Sequence, residues 1–344
     1  MEIVNDRTEE AVVKGAAVLS KGGIIIMPTD TVYGMAVDPG NSEAVARLYA
    51  VKQRDRGNPL ARFLASAPGI ETMDPILPLQ VRKCAENLLP GPVTMVIENS
   101  SGETTGIRIP DHPTPRNIVS RLPFAPGVTS VNISGNPPLS SADEIKKAFG
   151  DKADLMIDAG DISGTASSVA GFLSNGISLL RKGDVSLEDV LTASSVTILF
   201  VCSGNICRSA AAEFYMKQAL MKKYRTDDLR RFGFRVRSAG TFMLEGNSPP
   251  QEITLILAED GIDISSHTST PLYPAMLESA DVIYTMDSTH TEFIRGVAPQ
   301  FLDKTEMLDP DGRDIPDPYQ QSIREYRTAL AHIKYSVSKA VELL

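Results

Sequence analysis

Apolar residues along the chain form short runs and helical stripes that are separated by polar loops. Residues 8–22 have the spacing of an amphipathic helix that ends at glycine, and "GIIIMP" (23–28) predicts a buried strand. A second predicted helix begins after the capping residue Asn41. Further along, "VTILFV" (196–201) predicts a strand buried on both faces, and residues 209–223 are strong helix formers. This alternation predicts the α/β class.

The pattern changes near residue 190. A predicted short strand at 176–183 ends in Lys-Gly, and a polar stretch with a helix cap at Ser186 separates it from the apolar strand at 196–201. No internal repeat relates the two halves. We therefore predict two different α/β domains in tandem, covering residues 1–190 and 195–344.

Composition and charge exclude several classes of protein. The chain of 344 residues has a net charge of −9, so its bulk charge does not favour nucleic acid, although a local basic groove is not excluded. Its three cysteines are an odd number, which argues against a disulfide framework and for reduced thiols. The sequence contains neither an apolar run approaching the roughly 18 residues that span a bilayer nor a secretory signal. We expect a soluble, cytoplasmic protein without membrane partners.

The segment "FVCSGNICRSAAAEF" (200–214) places a polar loop between a strand and a helix. Successive backbone N–H groups in such a loop, with the positive end of the helix, form a site for an anion. Cys202 would face this electropositive loop, which favours a nucleophilic thiolate, and Arg208 can hold two phosphate oxygens with its planar fork. Gly204 and Asn205 are predicted to adopt the positive φ values of a tight loop.

Cysteine and arginine at this spacing are a weak signal by themselves, because a lone cysteine at a strand end is more often a small buried side chain. The whole string "VCSGNICRS" resembles the signature of the low-molecular-weight protein tyrosine phosphatases. Four further segments resemble this family in the same order: "SAGT" (238–241), "GIDISSHTST" (261–270), "ADVIYTMDSTH" (280–290) and "DIPDPY" (314–319). The resemblance implies a doubly wound parallel sheet and phosphomonoester hydrolysis without a metal or other cofactor.

The resemblance also implies a role for each matching residue. Cys202 would attack phosphorus to form a phosphocysteine, and Asp317 would protonate the leaving group and then activate water. Cys207 would form a protective disulfide with Cys202 under oxidation. His267 would support the loop through a hydrogen bond with Asn205. The implied site residues are the catalytic Cys202, Arg208, Ser209 and Asp317 and the phosphate-binding loop Ser203, Gly204, Asn205, Ile206 and Cys207.

Apolar positions near this loop indicate the substrate. Ile206 and Leu244 stand where the resemblance places the pocket wall, and Tyr319 follows the general acid. Apolar walls favour an aromatic phosphomonoester, so we expect a phosphoprotein substrate that carries phosphotyrosine. Phosphoarginine is the alternative, but relatives that act on it carry a small polar residue at the position of Ile206. Arsenate reduction needs a further cysteine, and residues 208–344 contain none beyond the loop.

The first half of the chain combines hydroxyl-rich loops with cations that suit an oxygen-rich ligand. Lys52 and Arg54 can clamp a polyphosphate, and Arg108 and Arg181 add two further cations. The Walker string is absent, so a nucleotide would be held in another way. From the pattern alone, solvated charges past a helix end explain Lys52 and Arg54 better than a ligand site does.

Three segments, "PTDTVYGMAVD" (28–38), "KQRDRGNPL" (52–60) and "TSVNISGNPPLSS" (129–141), resemble the YrdC family of threonylcarbamoyl-AMP synthases, and the resemblance covers about residues 8–185. It implies an N-terminal α/β domain with a twisted sheet that joins L-threonine, bicarbonate and ATP, with Mg²⁺, and releases pyrophosphate. The product serves a modification of transfer RNA, which implies direct or indirect contact with RNA. The implied threonine-binding residues are Thr31 and Tyr33, and those around ATP are Lys52, Arg54, Arg108, Ser130, Asn132, Ser134 and Arg181.

Some positions depart from the pattern of this family. Asp55 stands where the family usually has proline, which would place a carboxylate near the phosphates, and residues 61–69 lack the family's usual hydrophobic strand. These departures leave an alternative in which the first half binds RNA or a nucleotide without turnover and targets the phosphatase. Two enzymes on one chain are the leading hypothesis.

Overall fold

The computed structural model describes residues 1–71 and 77–343, and its chain divides into two compact units, Met1–Ser194 and Ser195–Leu344. Each unit has its own sheet and its own hydrophobic clusters. Among the described residues, no helix combines the length and the apolar character that a membrane crossing requires.

The first unit is built on a mixed sheet. Its strands, within the part of the chain that the structure describes, are β1 (Glu2–Asn5), β2 (Ile25–Met27), β3 (Gly34–Val37), β4 (Ala61–Phe63), β5 (Val93–Glu98), β6 (Thr104–Arg108), β7 (Gly127–Ser130), β8 (Leu155–Asp158), β9 (Ser168–Leu173) and β10 (Gly176–Arg181). The order across the sheet is β1-β8-β2-β3-β7-β4-β6-β5-β9-β10. Some neighbouring strands are parallel and others are antiparallel. Many neighbours, such as β2 and β8 or β5 and β9, are distant in sequence.

Helices cover both faces of this sheet. They are α1 (Glu9–Ser20), α2 (Ser42–Lys52), α3 (Pro68–Glu71), α4 (Leu79–Leu88), α5 (Pro113–Val119), α6 (Ala142–Phe149) and α7 (Leu187–Ala193). Ile25 and Met27 of β2 pack into a cluster with α1 and α5, whereas Ile24 and Ile26 pack into a cluster with α2 and α6. The apolar run before Pro28 is therefore buried on both sides, as its composition predicts.

A strand is present where the sequence lacks a hydrophobic run. β4 lies between β6 and β7 and forms ladder hydrogen bonds with both, although of its three residues only Phe63 is buried. Residues 61–69 therefore contain a strand although they lack the family's usual hydrophobic run. Backbone hydrogen bonds to β6 and β7 hold β4 in the sheet. The pattern of side chains along the sequence does not reveal such bonds.

The second unit is a parallel sheet with helices on both faces. Its strands, in the described part of the chain, are β11 (Val196–Cys202), β12 (Phe234–Gly240), β13 (Val282–Thr285) and β14 (Thr305–Met307), in the order β12-β11-β13-β14. Its helices are α8 (Arg208–Tyr224), α9 (Gln251–Glu259), α10 (Pro274–Ser279), α11 (Ser288–Val297) and α12 (Ile323–Glu342), with 3₁₀ turns at Leu229–Phe232 and Pro299–Lys304.

The position of β11 in this sheet locates the site. Ile198 and Phe200 pack against α8 and α12, whereas Leu199 and Val201 pack against α10 and α11. β11 is thus buried on both faces, and the chain continues to β12 on one side of it and to β13 on the other. In such doubly wound sheets the carboxyl ends of the strands at this reversal flank the ligand-binding crevice.

Candidate active sites

The predicted anion-binding loop, residues 202–208, connects the end of β11 to the start of α8 and is hereafter the Cys202 loop. β11 pairs with a strand on either side, so the loop starts from the interior of the sheet at its carboxyl edge. α8 is 17 residues long, and the positive end of its dipole lies at the loop. Strand, loop and helix are contiguous, as the sequence predicts.

The Cys202 side chain is buried and has two polar neighbours. Its Sγ lies 2.9 Å from Ser209 Oγ, and the backbone N–H of Asn205 donates to Sγ over 3.3 Å. Both groups can stabilise a thiolate by hydrogen bonding. The loop therefore presents a cysteine whose ionised form has donors already in place.

Asn205 holds the loop in shape from inside the protein. Its φ of 52° lies in the left-handed region, and the residue is fully buried. Its side-chain amide donates to Ser209 Oγ over 2.9 Å and to Ser238 Oγ over 2.8 Å, and its Oδ1 accepts from the N–H of Thr270 over 2.8 Å. His267 Nε2 lies 2.8 Å from the Asn205 carbonyl, which is the contact that the resemblance implies. These bonds offset the cost of the left-handed conformation.

Gly204 does not adopt a positive φ, so that sequence prediction is wrong. One left-handed residue is enough for the turn, and Asn205 supplies it. A Cβ added to Gly204 would lie 3.6 Å from the side chain of Ile206, which is an ordinary contact. Glycine is required instead at Gly240, where a Cβ would approach the Ser203 carbonyl to 2.7 Å. The residue behind the loop, rather than one within it, needs to be small.

The buried guanidinium of Arg208 contacts two carboxylates. Nη1 lies 2.6 Å from Asp287 Oδ2 and donates to the carbonyl of Ile315 over 3.0 Å, and Nη2 lies 2.8 Å from Asp317 Oδ2. The structure therefore brings the two predicted residues Arg208 and Asp317 together. The Asp317 side chain is 47% exposed and that of Asp287 only 15%, so Asp317 is the carboxylate that an incoming phosphate can more easily replace.

Sequence reasoning missed Asp287. This residue follows β13, at the same edge of the sheet as Cys202, and accepts the N–H of His290 as the cap of α11. Burial alone would raise the pKa of Asp287, but hydrogen bonds from His290, Thr289 and Arg208 outweigh burial and lower that pKa below its ordinary value. Asp287 therefore stays ionised. The available signal was an aspartate directly after a buried strand.

The two other cysteines are buried and protonated at neutral pH. Burial, with nearby Cys202 and Asp317, raises the pKa of Cys207 to about 12. Burial likewise raises the pKa of Cys84, in the first unit, to about 12. All three thiols are free. Cys202 is thus distinguished from both by its hydrogen-bond donors and its place at the helix terminus.

Apolar side chains are exposed beside the Cys202 loop. The N–H of Phe242 donates to the Ser203 carbonyl over 2.8 Å, which fixes the following residues next to the loop. The exposed fractions of Phe242, Met243 and Leu244 are 59%, 76% and 41%, and that of Tyr319 is 47%. These four apolar or aromatic side chains are open to solvent on two segments that contact the loop, residues 242–244 through Ser203 and Tyr319 two positions after Asp317.

The first unit contains a cleft of about 370 Å³. The predicted residues that line it are Tyr33, Arg54, Arg108, Ser130 and Arg181. Lining residues that sequence reasoning missed include Thr29, Phe63, Thr94 and Ser167. A volume of this size is within the range of small-molecule sites, about 300–1,000 Å³. Its side chains come from strands that are distant in the chain and adjacent in the sheet.

Lys52 ends α2 and contacts the cleft wall through Ser130. The buried ammonium donates to the Ser130 carbonyl and to Asn132 Oδ1, the latter over 2.8 Å. Ser134 N–H donates to the Lys52 carbonyl over 2.9 Å, and Ser134 Oγ is buried without a partner among the described residues. Burial and the charge of Arg54 lower the pKa of Lys52 to about 7. The structure thus groups Lys52, Ser130, Asn132 and Ser134, which the sequence predicts as nucleotide-binding residues.

A buried ion pair at the cleft includes one residue that sequence reasoning missed. Arg108 Nη2 lies 2.7 Å from Asp30 Oδ1 and donates to Thr31 Oγ1 over 2.8 Å. Among the described residues, Arg108 Nε and Asp30 Oδ2 are buried without hydrogen-bond partners. Such atoms are costly unless a ligand or water satisfies them. The pair therefore offers one donor and one acceptor to a polar ligand.

The other two arginines of the cleft contact neutral oxygens. Arg181 Nη2 donates to the Ser167 carbonyl over 2.8 Å and to its Oγ over 3.0 Å. Arg54 donates to the carbonyls of Asn58 and Pro59 over 3.0 and 3.1 Å. Neither forms an ion pair within residues 1–71 and 77–343, so their charges are available to an anion.

Tyr33 and Asp55 form hydrogen bonds that hold loops of the first unit. The Tyr33 hydroxyl donates to the Gly160 carbonyl over 2.7 Å and accepts the Ala159 N–H over 2.9 Å, so it anchors the loop after β8. Asp55 is exposed and accepts the Gly57 N–H over 2.8 Å in a turn. Asp55 is not among the residues that line the cleft.

Comparisons with known proteins divide the chain in the same way. The model of the Sua5/YciO/YrdC family, described as telomere recombination, matches residues 17–183, and that of the low molecular weight phosphotyrosine protein phosphatases matches residues 197–344. A putative threonylcarbamoyl-AMP synthase of Mycobacterium tuberculosis (strain ATCC 25618 / H37Rv) is 30% identical over 196 residues, 54% of this chain and 89% of the relative. A putative low molecular weight protein-tyrosine-phosphatase of Klebsiella pneumoniae is 31% identical over 142 residues, 41% of this chain and 91% of the relative.

The fold of the first unit has a solved counterpart. A double mutant of Sua5 from P. abyssi aligns with a TM-score of 0.51 and 25% identity, covering 58% of this chain and 70% of that one. The chain spans only 58% of the length of the threonylcarbamoyl-AMP synthase of Pyrococcus abyssi (strain GE5 / Orsay), which is 30% identical over 200 residues. The chain therefore belongs to two families in tandem, its first unit to the Sua5/YciO/YrdC family and its second to the low molecular weight phosphotyrosine protein phosphatases.

Proposed function

We propose that the chain carries two enzymes. The first unit makes L-threonylcarbamoyladenylate, which serves tRNA modification, and the second hydrolyses phosphotyrosine in proteins through a phosphocysteine. One observation carries the second activity: Cys202, with two donors on its sulfur, lies in the loop whose Arg208 holds Asp317. The cleft that joins Arg54, Arg108 and Arg181 supports the first activity.

Phosphate hydrolysis follows from the contacts of the Cys202 loop. The substrate phosphate replaces Asp317 on Arg208 Nη2, while Asp287 keeps Nη1 in place. The thiolate of Cys202 attacks phosphorus and the bond to the leaving oxygen breaks, while Asp317, protonated once it has left Arg208, gives that oxygen its proton. Water then attacks phosphorus, Asp317 takes its proton, and the thiolate leaves with the hydrogen bond of Ser209.

The residues around this loop favour an aromatic leaving group. Leu244 and Tyr319 are exposed beside it, and Ile206 is apolar at the position that matters for phosphoarginine. A phenyl ring can bury these surfaces, whereas a guanidinium group would lose hydration against them. Phosphotyrosine is therefore the proposed substrate and phosphoarginine the alternative.

The synthase reaction uses the cations of the first unit. The amine of L-threonine traps bicarbonate as a carbamate, and a carbamate oxygen attacks the α-phosphate of ATP. Lys52, Arg54 and Arg181 stabilise the charge that develops on the pyrophosphate. Arg108 and Asp30, each with one buried atom that has no partner among the described residues, hold polar groups of the amino-acid substrate, so we propose Arg108 for the threonine rather than for ATP, where the resemblance puts it. This assigns Thr31, which Arg108 contacts, to the same subsite.

ATP brings its own magnesium in this proposal. No group of three or more His, Cys, Asp or Glu within the described ranges could hold a metal ion. Mg²⁺ on nucleotides is commonly bound by the phosphates, waters and at most one or two carboxylates, so this is compatible with MgATP as substrate.

The alternative is a first unit that binds RNA or a nucleotide without turnover. Its main support was Asp55, and that carboxylate is exposed in a turn outside the lining of the cleft. We therefore place catalysis first. The test is pyrophosphate release by the full chain, with ATP, Mg²⁺, bicarbonate and L-threonine each omitted in turn. Release only with all four supports synthesis, and binding of ATP without any release supports the alternative.

The phosphatase is tested on the same protein with p-nitrophenyl phosphate, a phosphotyrosine peptide and a matched phosphoarginine peptide. Rapid acid quench of labelled substrate should trap phosphate on Cys202, and the phosphotyrosine peptide should give the highest kcat/KM. A higher kcat/KM on the phosphoarginine peptide would make phosphoarginine the proposed substrate. If none of the three compounds were hydrolysed, the proposed phosphatase activity would be rejected.

A further inference from the structure

His290 connects the Cys202 loop to the counterion of its arginine. It lies in the first turn of α11 and is 1% exposed. Its Nε2 lies 2.9 Å from Ser203 Oγ, and its Nδ1 lies 2.8 Å from Asp287 Oδ1. Ser203 follows the nucleophile directly, and Asp287 contacts Arg208. The imidazole therefore bridges two groups that act on opposite ends of the loop.

These contacts form a ring of side chains around the loop. From Ser203 the ring passes through His290 and Asp287 to Arg208, with distances of 2.9, 2.8 and 2.6 Å. Ser203 and Arg208 are the second and the last residues of the Cys202 loop, whose own backbone closes the ring. A side-chain link of this kind fixes the separation of the loop's ends from outside.

The polar contacts of His290 define its tautomer. Asp287 is an ionised acceptor, so the proton of a neutral ring lies on Nδ1 and the Ser203 hydroxyl donates to Nε2. Nδ1 is buried, and its contact is with Asp287 Oδ1. The separate cap of α11 uses the backbone N–H of His290, not its ring. The ring is thus not needed to begin the helix.

We propose that His290 is a positioning residue for phosphate hydrolysis. It holds Ser203 at one end of the Cys202 loop and, through Asp287, the guanidinium of Arg208 at the other. The imidazole acts through its contacts with Ser203 and Asp287 rather than on the phosphate itself. The proposal rests on the proposed phosphatase function of this loop.

The test uses three substitutions in the full chain: His290→Asn, His290→Gln and His290→Ala. Asparagine can replace the contact of Nδ1 and glutamine that of Nε2, so each keeps at most one of the two links. We expect all three to weaken inorganic phosphate binding about tenfold, measured by calorimetry and as a competitive inhibition constant, with a similar loss of kcat/KM. Thermal unfolding should show that all three variants fold.

His332→Gln is the matched control, because His332 also contacts an aspartate of this unit, Asp309, and is not a member of the ring described above. It should keep wild-type phosphate affinity. Ser203→Ala adds a second readout, because the double variant Ser203→Ala/His290→Ala should bind phosphate no more weakly than His290→Ala alone.

Wild-type phosphate affinity in the asparagine or glutamine variant would overturn the proposal, as would losses that multiply in the double variant. A wild-type protein that hydrolyses no phosphomonoester would instead reject the proposed function. In that case calorimetric phosphate binding by the same variants still decides the role of His290.

Discussion

The two sites of this chain are built in opposite ways. The Cys202 loop is seven consecutive residues between one strand and one helix, and its donors are already directed at the sulfur. The cleft of the first unit takes side chains from Thr29 to Arg181, which only the strand order of a mixed sheet brings together. A contiguous site depends on local backbone geometry, and a distributed site depends on topology.

The two sites also differ in how their cations are paired before a ligand binds. Arg208 is held by two carboxylates, so it has a defined position before any anion binds. Arg54 and Arg181 donate to neutral oxygens in the described structure, and Lys52 has a pKa lowered to about 7 by burial and by Arg54. The loop is therefore preorganised, whereas the cleft has positive charge that a ligand must neutralise.

The largest effect should come from Cys202, the proposed nucleophile of the contiguous site. Cys202→Ser should lower hydrolysis of p-nitrophenyl phosphate by at least about 10⁴-fold, because an alcohol at this position is not ionised at neutral pH. Cys84→Ser is the matched control: that thiol is protonated, with a pKa raised to about 12, and lies in the other unit. Substantial activity in the Cys202→Ser variant would show that the loop acts by another nucleophile.

Asp317, the proposed general acid, should have the next largest effect. Asp317→Asn removes proton transfer but not the anion site, so kcat should fall by roughly 10²- to 10⁴-fold. The loss should be smallest for aryl phosphates whose leaving groups need no proton, measured as a slope of log kcat/KM against leaving-group pKa, since kcat/KM reports the step in which the leaving group departs. Asp314→Asn, three residues earlier, contacts Ser288 and serves as the control. Equal losses with good and poor leaving groups would contradict the assignment.

The same contrast explains what could be predicted from the sequence. The strand at 196–201 and the helix at 209–223 are found as Val196–Cys202 and Arg208–Tyr224, because their signals are local. Asp287 and Asp30 were missed, since their roles arise only when β13 lies beside β11 or when Arg108 reaches across the sheet. Pattern reasoning does not determine which strands are neighbours.

In the distributed site, Lys52→Met should slow pyrophosphate release about 10- to 100-fold. The change removes a charged donor from Asn132 and from the phosphate-binding region, and charge-assisted hydrogen bonds contribute about 1.5–3 kcal/mol. Methionine retains the buried aliphatic volume but leaves Asn132 Oδ1 and the Ser130 carbonyl without the ammonium donor, so thermal unfolding is measured to show that the variant is folded at the assay temperature. Lys14→Met, at an ion-paired surface lysine, is the control. Wild-type rates in Lys52→Met would favour a binding role for this unit.

A smaller effect should follow from the titration of Lys52. The ammonium is charged below its pKa of about 7 and neutral above it, so ATP affinity should fall as pH rises through 7. The fall should approach, without exceeding, about tenfold per pH unit, because a bound polyphosphate raises the pKa of Lys52. Calorimetry between pH 6 and 8.5 measures it, and Lys52→Met should lack this component. The same pH profile in both proteins would assign the effect to ATP itself.

The smallest effect concerns Cys207, the second thiol of the contiguous site. Because burial raises its pKa to about 12, Cys207→Ser should change turnover in reducing buffer by less than about twofold. Peroxide should reveal the difference. Oxidation of Cys202 to a sulfenic acid lets Cys207 form a disulfide with loss of water, whereas without Cys207 the sulfenic acid proceeds to the irreversible sulfinic acid. After peroxide treatment, dithiothreitol should restore the activity of the wild type and of Cys84→Ser but not of Cys207→Ser. Full recovery of activity in Cys207→Ser would show that Cys207 does not protect oxidised Cys202 by forming a disulfide.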